Sequence, residues 1–130
     1  MSHERKAHNS EAAPPAVGPY SHAVSANGFL YASGQLGLAV DGSGLVEGGI
    51  EAQARQALEN LAAVARAGGA SLADAVKINI YLTDMGDFQK VNSVYSEFFT
   101  GEEPPARAAV GVAQLPLGGL VEVDAVFALA

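Results

Sequence analysis

The middle of the chain alternates between two hydrophobic periodicities, and this alternation restricts the fold more than any other feature. Residues 76–82 carry apolar side chains at every second position, the pattern of a strand with one buried face. Residues 50–66 before them and 88–98 after them carry apolar side chains at helical spacing instead. We therefore predict two amphipathic helices separated by a strand, in an α/β (α+β) fold.

Turn residues divide the rest of the chain into short extended segments. Asn27-Gly28 favours a two-residue hairpin turn between two apolar stretches, and the glycines of residues 41–44 end a further extended piece. Pro104-Pro105 prevents extension of the second helix. The predicted extended segments are residues 23–32 (the hairpin), 35–40, 76–82, 106–112 and 120–128, in the order β-β-β-α-β-α-β-β.

The length of the chain, 130 residues, leaves room for one domain with one core. We assign residues 14–130 to this domain. Residues 1–13, which begin with a polar stretch of mixed charge, are expected to be a flexible N-terminal tail. Two helices cover only one face of such a sheet, and the other face is partly apolar. We therefore expect another copy of the chain to cover it, in a homo-oligomer.

The composition excludes several classes of protein. Cysteine is absent, so disulfides, thiolate catalysis and cysteine-ligated metals are excluded. The formal net charge of −7 opposes binding to nucleic acid, which depends on clustered Lys and Arg. No apolar run approaches the roughly 20 residues of a membrane-spanning helix, and we expect a soluble, cytoplasmic protein with no membrane partner. His3, His8 and His22 lack the spacing of a metal site, so we assign no metal.

Arg107 is the only basic residue after Lys90, and it begins a predicted strand among small and apolar residues. A buried guanidinium must be paired, and its planar fork matches a carboxylate with two parallel hydrogen bonds. One interpretation is that Arg107 binds the carboxylate of a small metabolite. The other is a structural salt bridge, for example to Glu102 or Glu103.

Glu122 is a carboxylate inside a predicted strand that is otherwise almost entirely apolar. Burial would raise the pKa of its carboxyl, whereas a nearby Arg107 would lower it. Competition between these two effects can tune a carboxylate for proton transfer in catalysis. The alternative interpretation is an ion pair at a sheet edge or an interface.

Four further residues are candidates for the lining of a site. Tyr20 follows Gly18-Pro19, a turn that could present its ring to a pocket, although a tyrosine in the core or at its rim is the commoner case. Gly34, after Ser33, would let a ligand approach the backbone closely, or would mark a β-bulge. Asn92 falls on the polar side of the second helix, where it either faces solvent or contributes to a site.

Several short motifs, taken together and in this order, resemble the RidA family, also called YjgF. The match extends from about Pro14 to Ala128. The motifs are Val17-Gly18-Pro19-Tyr20-Ser21, Ala32-Ser33-Gly34-Gln35, Ala52-Gln53-Ala54-Arg55-Gln56, Val91-Asn92, Pro105-Ala106-Arg107 and Val121-Glu122-Val123.

The resemblance implies a fold, an assembly and an activity. It implies a chorismate-mutase-like single domain, in which a mixed sheet of about six strands carries two helices on one face. It also implies a homotrimer with ligand clefts between subunits. The implied reaction is hydrolytic deamination of reactive enamine or imine intermediates, such as 2-aminoacrylate and 2-iminopropanoate, to 2-keto acids and ammonia. This form of metabolite damage control needs no cofactor.

The resemblance also implies roles for single residues. Arg107 would bind the substrate carboxylate, and Glu122 would orient or activate the attacking water. The other substrate-binding positions would be Tyr20, Ser33, Gly34 and Asn92. The chain departs from the family pattern at Ala109, where many members have cysteine, and at His22, where glutamine is frequent. Neither departure removes the carboxylate clamp, but Ala109 makes the pocket wall beside Arg107 smaller.

Two other classes of function remain open from the sequence. Endoribonuclease or translation-inhibitor activity is attributed to some members of the family, and the net charge of −7 opposes it here. A non-catalytic module that binds a small carboxylate, or a chaperone-like oligomer, would need the same pocket and assembly but no turnover.

Overall fold

The computed structural model describes residues 4–130, which form six strands, two α-helices and three single-turn 3-10 helices joined by loops. None of the helices in this range is long and apolar enough to cross a membrane. The elements are β1 (Arg5–His8), β2 (Ala23–Ala26), β3 (Phe29–Leu36), α1 (Gly49–Ala67), β4 (Ala75–Leu82), α2 (Phe88–Phe98), β5 (Ala106–Gly111) and β6 (Val121–Ala128).

The strands form one mixed sheet in the order β1-β2-β3-β6-β4-β5. All neighbouring strands are antiparallel except β4 and β5, which are parallel and are joined through α2. A parallel pair needs such a crossover because the chain must return to the same end of the sheet. The predicted mixed sheet of six strands with two helices is confirmed.

Both helices pack on the same face of the sheet. Side chains from β3, β4 and β6 alternate, and those on the helix side are almost fully buried. They include Leu30, Ile78, Ile80, Leu82, Val121, Val123 and Phe127. The opposite face, called the open face below, carries the exposed apolar side chains of Phe29, Tyr31 and Val110. The open face is thus partly apolar, as the homo-oligomer prediction requires.

The first residues differ from the flexible tail that we expected. Residues 1–3 lie outside the described part of the chain, but Arg5–His8 form strand β1, which pairs with β2. The sheet therefore begins before residue 14. Polar composition did not reveal this strand because an edge strand is held by backbone hydrogen bonds, and its side chains remain largely exposed.

The predicted separate strand at residues 35–40 is also wrong. The second hairpin strand continues through Leu36 as β3, and only an isolated bridge between Leu38 and Leu45 follows it. The chain passes Ser33-Gly34 with a shift in register against β6, so these residues form a bulge within one strand.

Asn60 joins α1 to the end of β3. Its side chain is fully buried, and its amide nitrogen donates to the carbonyl oxygens of Leu36 (3.1 Å) and Leu38 (3.0 Å). Its amide oxygen accepts a hydrogen bond from Gln56 (2.9 Å). Asn60 therefore satisfies two carbonyl groups at the point where the chain leaves the sheet.

We predict that Asn60→Ala lowers the free energy of unfolding by about 2–4 kcal/mol, because two carbonyl groups lose their donors inside the protein. The matched control is Gln56→Ala, which leaves both of those hydrogen bonds in place. Urea denaturation of the two variants provides the measurement. Equal losses in both would show that the bonds to the carbonyl groups do not matter.

Candidate functional site

The bulge in β3 determines where the Glu122 carboxyl group lies. Glu122 is paired with Leu36 across the β3–β6 ladder, just beyond the register shift. A Cβ atom at Gly34 would lie 2.8 Å from Cδ of Glu122 and would collide with its carboxylate. Gly34 thus belongs to the bulge and also leaves the space that the Glu122 side chain occupies.

Four of the predicted site residues line one pocket of about 300 Å³. These residues are Tyr20, Ser33, Gly34 and Glu122. The remaining lining residues are Pro14, Pro15, Val17, His22, Gln35, Leu36, Leu38 and Pro116. Gln35 is buried, and sequence reasoning missed its contribution. The signal was its position in the motif Ala32-Ser33-Gly34-Gln35, directly after two predicted site residues.

His22 holds the pocket wall to the sheet. Its ring is buried, and Nδ1 accepts a hydrogen bond from the backbone N–H of Ser10 (3.0 Å). Nδ1 therefore carries no proton, and Nε2 donates to the carbonyl of Pro14 (2.8 Å). The backbone N–H of His22 donates to Asn9 Oδ1 (3.1 Å). His22, which stands where the family frequently has glutamine, thus holds the segment around Pro14 in place.

Tyr20 and Ser33 use their hydroxyl groups to stabilise this wall. The Tyr20 hydroxyl accepts a hydrogen bond from the backbone N–H of Val17 (3.3 Å), and the Tyr20 N–H donates to the carbonyl of Gly18 (2.9 Å). The Ser33 hydroxyl donates to the carbonyl of Ser21 (2.7 Å). The predicted turn at Gly18-Pro19 therefore presents the Tyr20 ring at the pocket rim.

Burial raises the pKa of the half-buried Glu122 carboxyl group, and the nearby Asp124 carboxylate raises it further. Asp124 lies two residues along β6 on the same face. It accepts hydrogen bonds from Asn79 (2.8 Å) and from the Tyr81 hydroxyl (2.9 Å). The hydrogen bond to Asp124 is the main cause of the raised pKa of Tyr81. The expected rise of the Glu122 pKa through burial is confirmed. Within one chain, Arg107 does not lower this pKa.

Arg107 lies at a different site, on an aromatic shelf formed by α2. The guanidinium carbon is 4.8 Å from the ring centroid of Tyr95 and 5.6 Å from that of Phe88. Its Nη1 donates to Asn92 Oδ1 (2.7 Å), which fixes the orientation of the guanidinium plane. Sequence reasoning missed Phe88 and Tyr95 because their helical spacing is also that of core residues.

The guanidinium of Arg107 has no carboxylate partner among residues 4–130. The side chain is exposed, and the one ion pair recorded in this range joins Arg55 to Glu97. The structural salt bridge to Glu102 or Glu103 is therefore not formed. Of the five N–H donors of Arg107, a single one is used within the described chain.

Arg107 and Glu122 lie on opposite faces of the sheet. Arg107 is aligned with Ile78, whose buried side chain faces the helices. Glu122 is aligned with Tyr81, whose hydroxyl contacts Asp124 on the open face. Side chains of paired residues point to the same face, so one copy of the chain does not bring the two groups together.

Ala109 shares the face of Arg107, because it is aligned with Ile80 on the helix side. It is half-buried and packs against the core.

Among residues 4–130, no three His, Asp or Glu side chains are grouped as metal ligands would be.

Comparison with known proteins identifies the family. The family model described as Endoribonuclease L-PSP matches residues 10–129. The 2-iminobutanoate/2-iminopropanoate deaminase of Mus musculus is 44% identical over 122 residues, which cover 94% of this chain and 90% of that protein. The chain therefore belongs to the RidA (YjgF) family, and the assignment made from its motifs is confirmed.

Solved structures agree with this assignment. The crystal structure of RidA from an Antarctic Psychrobacter has a TM-score of 0.91 and 44% identity, covering 95% of this chain and 99% of that one. The crystal structure of E. coli TdcF with bound serine has a TM-score of 0.90 and 33% identity, covering 96% and 99%. Both similarities extend over nearly the whole chain.

We predict that the thermal stability of Glu122→Gln relative to wild type increases as pH rises above about 4.3, the usual pKa of a glutamate carboxyl. The folded chain holds the Glu122 proton more tightly than the unfolded chain. Stability is therefore lost as pH rises from the usual glutamate pKa through the raised one. Glutamine does not ionise and escapes this loss.

The control for this measurement is Glu59→Gln, which removes an exposed carboxylate of α1. Its melting temperature relative to wild type should show no comparable increase with pH. A constant or falling difference for Glu122→Gln across this range would contradict the raised pKa of Glu122.

Proposed function

We propose that the protein hydrolyses reactive 2-imino acids, of the 2-aminoacrylate and 2-iminopropanoate type, to 2-keto acids and ammonia. The observation that carries the proposal is the guanidinium of Arg107, which is oriented by Asn92 and an aromatic shelf but has no carboxylate partner among residues 4–130. The deaminase name of the mouse relative supports the same reaction. A role in metabolite damage control and a cytoplasmic location remain predictions.

The proposed reaction divides the work between two groups. The fork of Arg107 binds the substrate carboxylate with two parallel charge-assisted hydrogen bonds, which fixes the position of the imine carbon. Glu122 accepts a proton from a water molecule as the water oxygen attacks the carbon of the protonated imine, forming a neutral tetrahedral carbinolamine. Glu122 then gives this proton to the nitrogen. As the C–N bond breaks and ammonia leaves, the hydroxyl group of the intermediate gives its own proton to the Glu122 carboxylate, and the keto group forms.

The raised pKa of Glu122 suits this exchange of protons. A carboxylate with a raised pKa is a stronger base, and its protonated form is present closer to neutral pH, so one group can both accept and return a proton. Ser33 and Tyr20 stabilise the pocket wall beside the Glu122 carboxyl group, and the absence of a side chain at Gly34 leaves space for that group. The chain itself supplies these groups, and the proposed reaction uses no cofactor.

The proposed site is shared between subunits of a homotrimer. Arg107 and Glu122 lie on opposite faces of one sheet, so the two groups can meet only when the Arg107 edge of one copy approaches the Glu122 pocket of another. The exposed apolar side chains of Phe29, Tyr31 and Val110 on the open face support such an assembly. Analytical ultracentrifugation measures the oligomeric state directly, and a stable monomer would contradict a site shared between subunits.

The test generates 2-iminopropanoate in solution with an amino-acid oxidase and follows its disappearance. Wild type should accelerate its loss. Arg107→Lys keeps the charge but loses the planar fork, and we expect its kcat/KM to fall by a factor of about 10². Glu122→Gln should reduce kcat by a factor of about 10² to 10⁴, the usual contribution of a positioned acid or base.

Two surface substitutions are matched controls. Arg55→Lys changes an arginine that forms an exposed ion pair with Glu97, and Glu59→Gln removes an exposed carboxylate. Both should retain wild-type rates. The deaminase proposal fails if wild type does not accelerate the loss of 2-iminopropanoate, or if the controls lose as much activity as the site variants.

A second candidate is binding of a small carboxylate without turnover. The presence of bound serine in the E. coli TdcF structure favours it, since serine carries a carboxylate that Arg107 could bind in the same way. Tight binding of pyruvate by calorimetry, together with no effect on 2-iminopropanoate, would support this function. Endoribonuclease activity, named in the family description, is opposed by the net charge of −7.

A further inference from the structure

An apolar lobe adjoins the Glu122 pocket. It has a volume of about 100 Å³ and shares four wall residues with that pocket, so the two spaces have common walls. The shared residues are Pro14, Pro15, Val17 and Leu38, and the lobe is completed by Gly42, Gly44 and Leu117. Every residue that lines the lobe is uncharged. The polar groups Glu122, Ser33 and Gln35 lie only in the main pocket.

Leu117 forms the outer wall of the lobe in an unfavourable conformation. Its backbone is left-handed, with φ 58° and ψ 18°, and its side chain is 61% exposed. A left-handed backbone favours glycine, and exposure leaves apolar surface in water. Glycine would form the same turn without strain. The turn between Pro116 and Gly118 therefore does not explain why a leucine is present.

We propose that the lobe binds the apolar side chain of the 2-imino acid and that Leu117 is a specificity-determining residue. This inference rests on the proposed function. The imine carbon carries a nitrogen, a carboxylate and a side chain. Glu122 handles the water and the nitrogen, and Arg107 of a neighbouring subunit binds the carboxylate. The remaining substituent then enters the uncharged lobe.

The lobe selects the chemical class of the substrate. Imino acids with a side chain of leucine or methionine size fill it and cover the exposed face of Leu117, which removes apolar surface from water. The methyl group of 2-iminopropanoate leaves most of the lobe empty. The protein therefore prefers 2-imino acids with larger apolar side chains over 2-iminopropanoate.

The experiment compares kcat/KM for the imines that an amino-acid oxidase forms from leucine and from alanine. Wild type should favour the leucine-derived imine. Leu117→Gly keeps the left-handed turn but removes the side chain, and the leucine-to-alanine ratio of kcat/KM should fall about tenfold or more. Leu117→Met should restore most of the ratio. The matched control Val76→Ala truncates an exposed apolar residue that lines neither cavity.

Two outcomes would overturn the inference. An unchanged ratio in Leu117→Gly would show that Leu117 does not contact the substrate side chain. Equal loss of both rates, with dissociation seen by sedimentation, would show that Leu117 packs between subunits instead.

Failure of the proposed reaction would look different, because wild type would then turn over neither imine. In that case calorimetry with 4-methyl-2-oxopentanoate and pyruvate tests the lobe by binding alone. A preference for the larger keto acid that Leu117→Gly abolishes supports the lobe, and equal affinities overturn it.

Discussion

The alternation of side chains along a strand places Arg107 and Glu122 on opposite faces of the sheet, and the arrangement of the proposed site follows from this separation. Arg107 is in register with Ile78 and faces the helices, whereas Glu122 is in register with Tyr81 and faces away from them. A rotamer change does not carry a side chain through a hydrogen-bonded sheet. Each copy of the chain therefore carries two half-sites, one containing Arg107 and the other containing Glu122. The proposed chemistry requires the Arg107 half-site of one copy to meet the Glu122 half-site of another.

Each half-site is held by local structure. On the open face, the bulge at Gly34 makes space for the Glu122 carboxyl, while burial and Asp124 make its proton harder to remove. On the helix face, Asn92 and Tyr95 orient the guanidinium of Arg107 and leave its remaining donors available. Such preorganisation suits the proposed hydrolysis, because an imine is already electrophilic and positioning supplies much of what that reaction needs.

Periodicity was sufficient to predict α1, β4 and α2 from the sequence, and the structure confirms their ends to within a residue. Strand β1 was not predictable in this way, because backbone pairing holds it. The face on which Arg107 lies also could not be predicted. It depends on the register between β5 and β4, which the crossover through α2 sets, and no residue near Arg107 encodes that register. The motifs predicted the candidate site residues, but not that one chain places Arg107 and Glu122 on opposite faces of its sheet.

The most direct test is to mix the two half-sites. Arg107→Ala and Glu122→Gln subunits, each strongly impaired alone, are co-expressed with different tags, and doubly tagged oligomers are purified. In every mixed assembly of the proposed homotrimer, one of the three clefts should combine an intact Arg107 with an intact Glu122, and activity on 2-iminopropanoate should recover to about a third of the wild-type value. Mixed oligomers no more active than the separate parents would contradict a shared site.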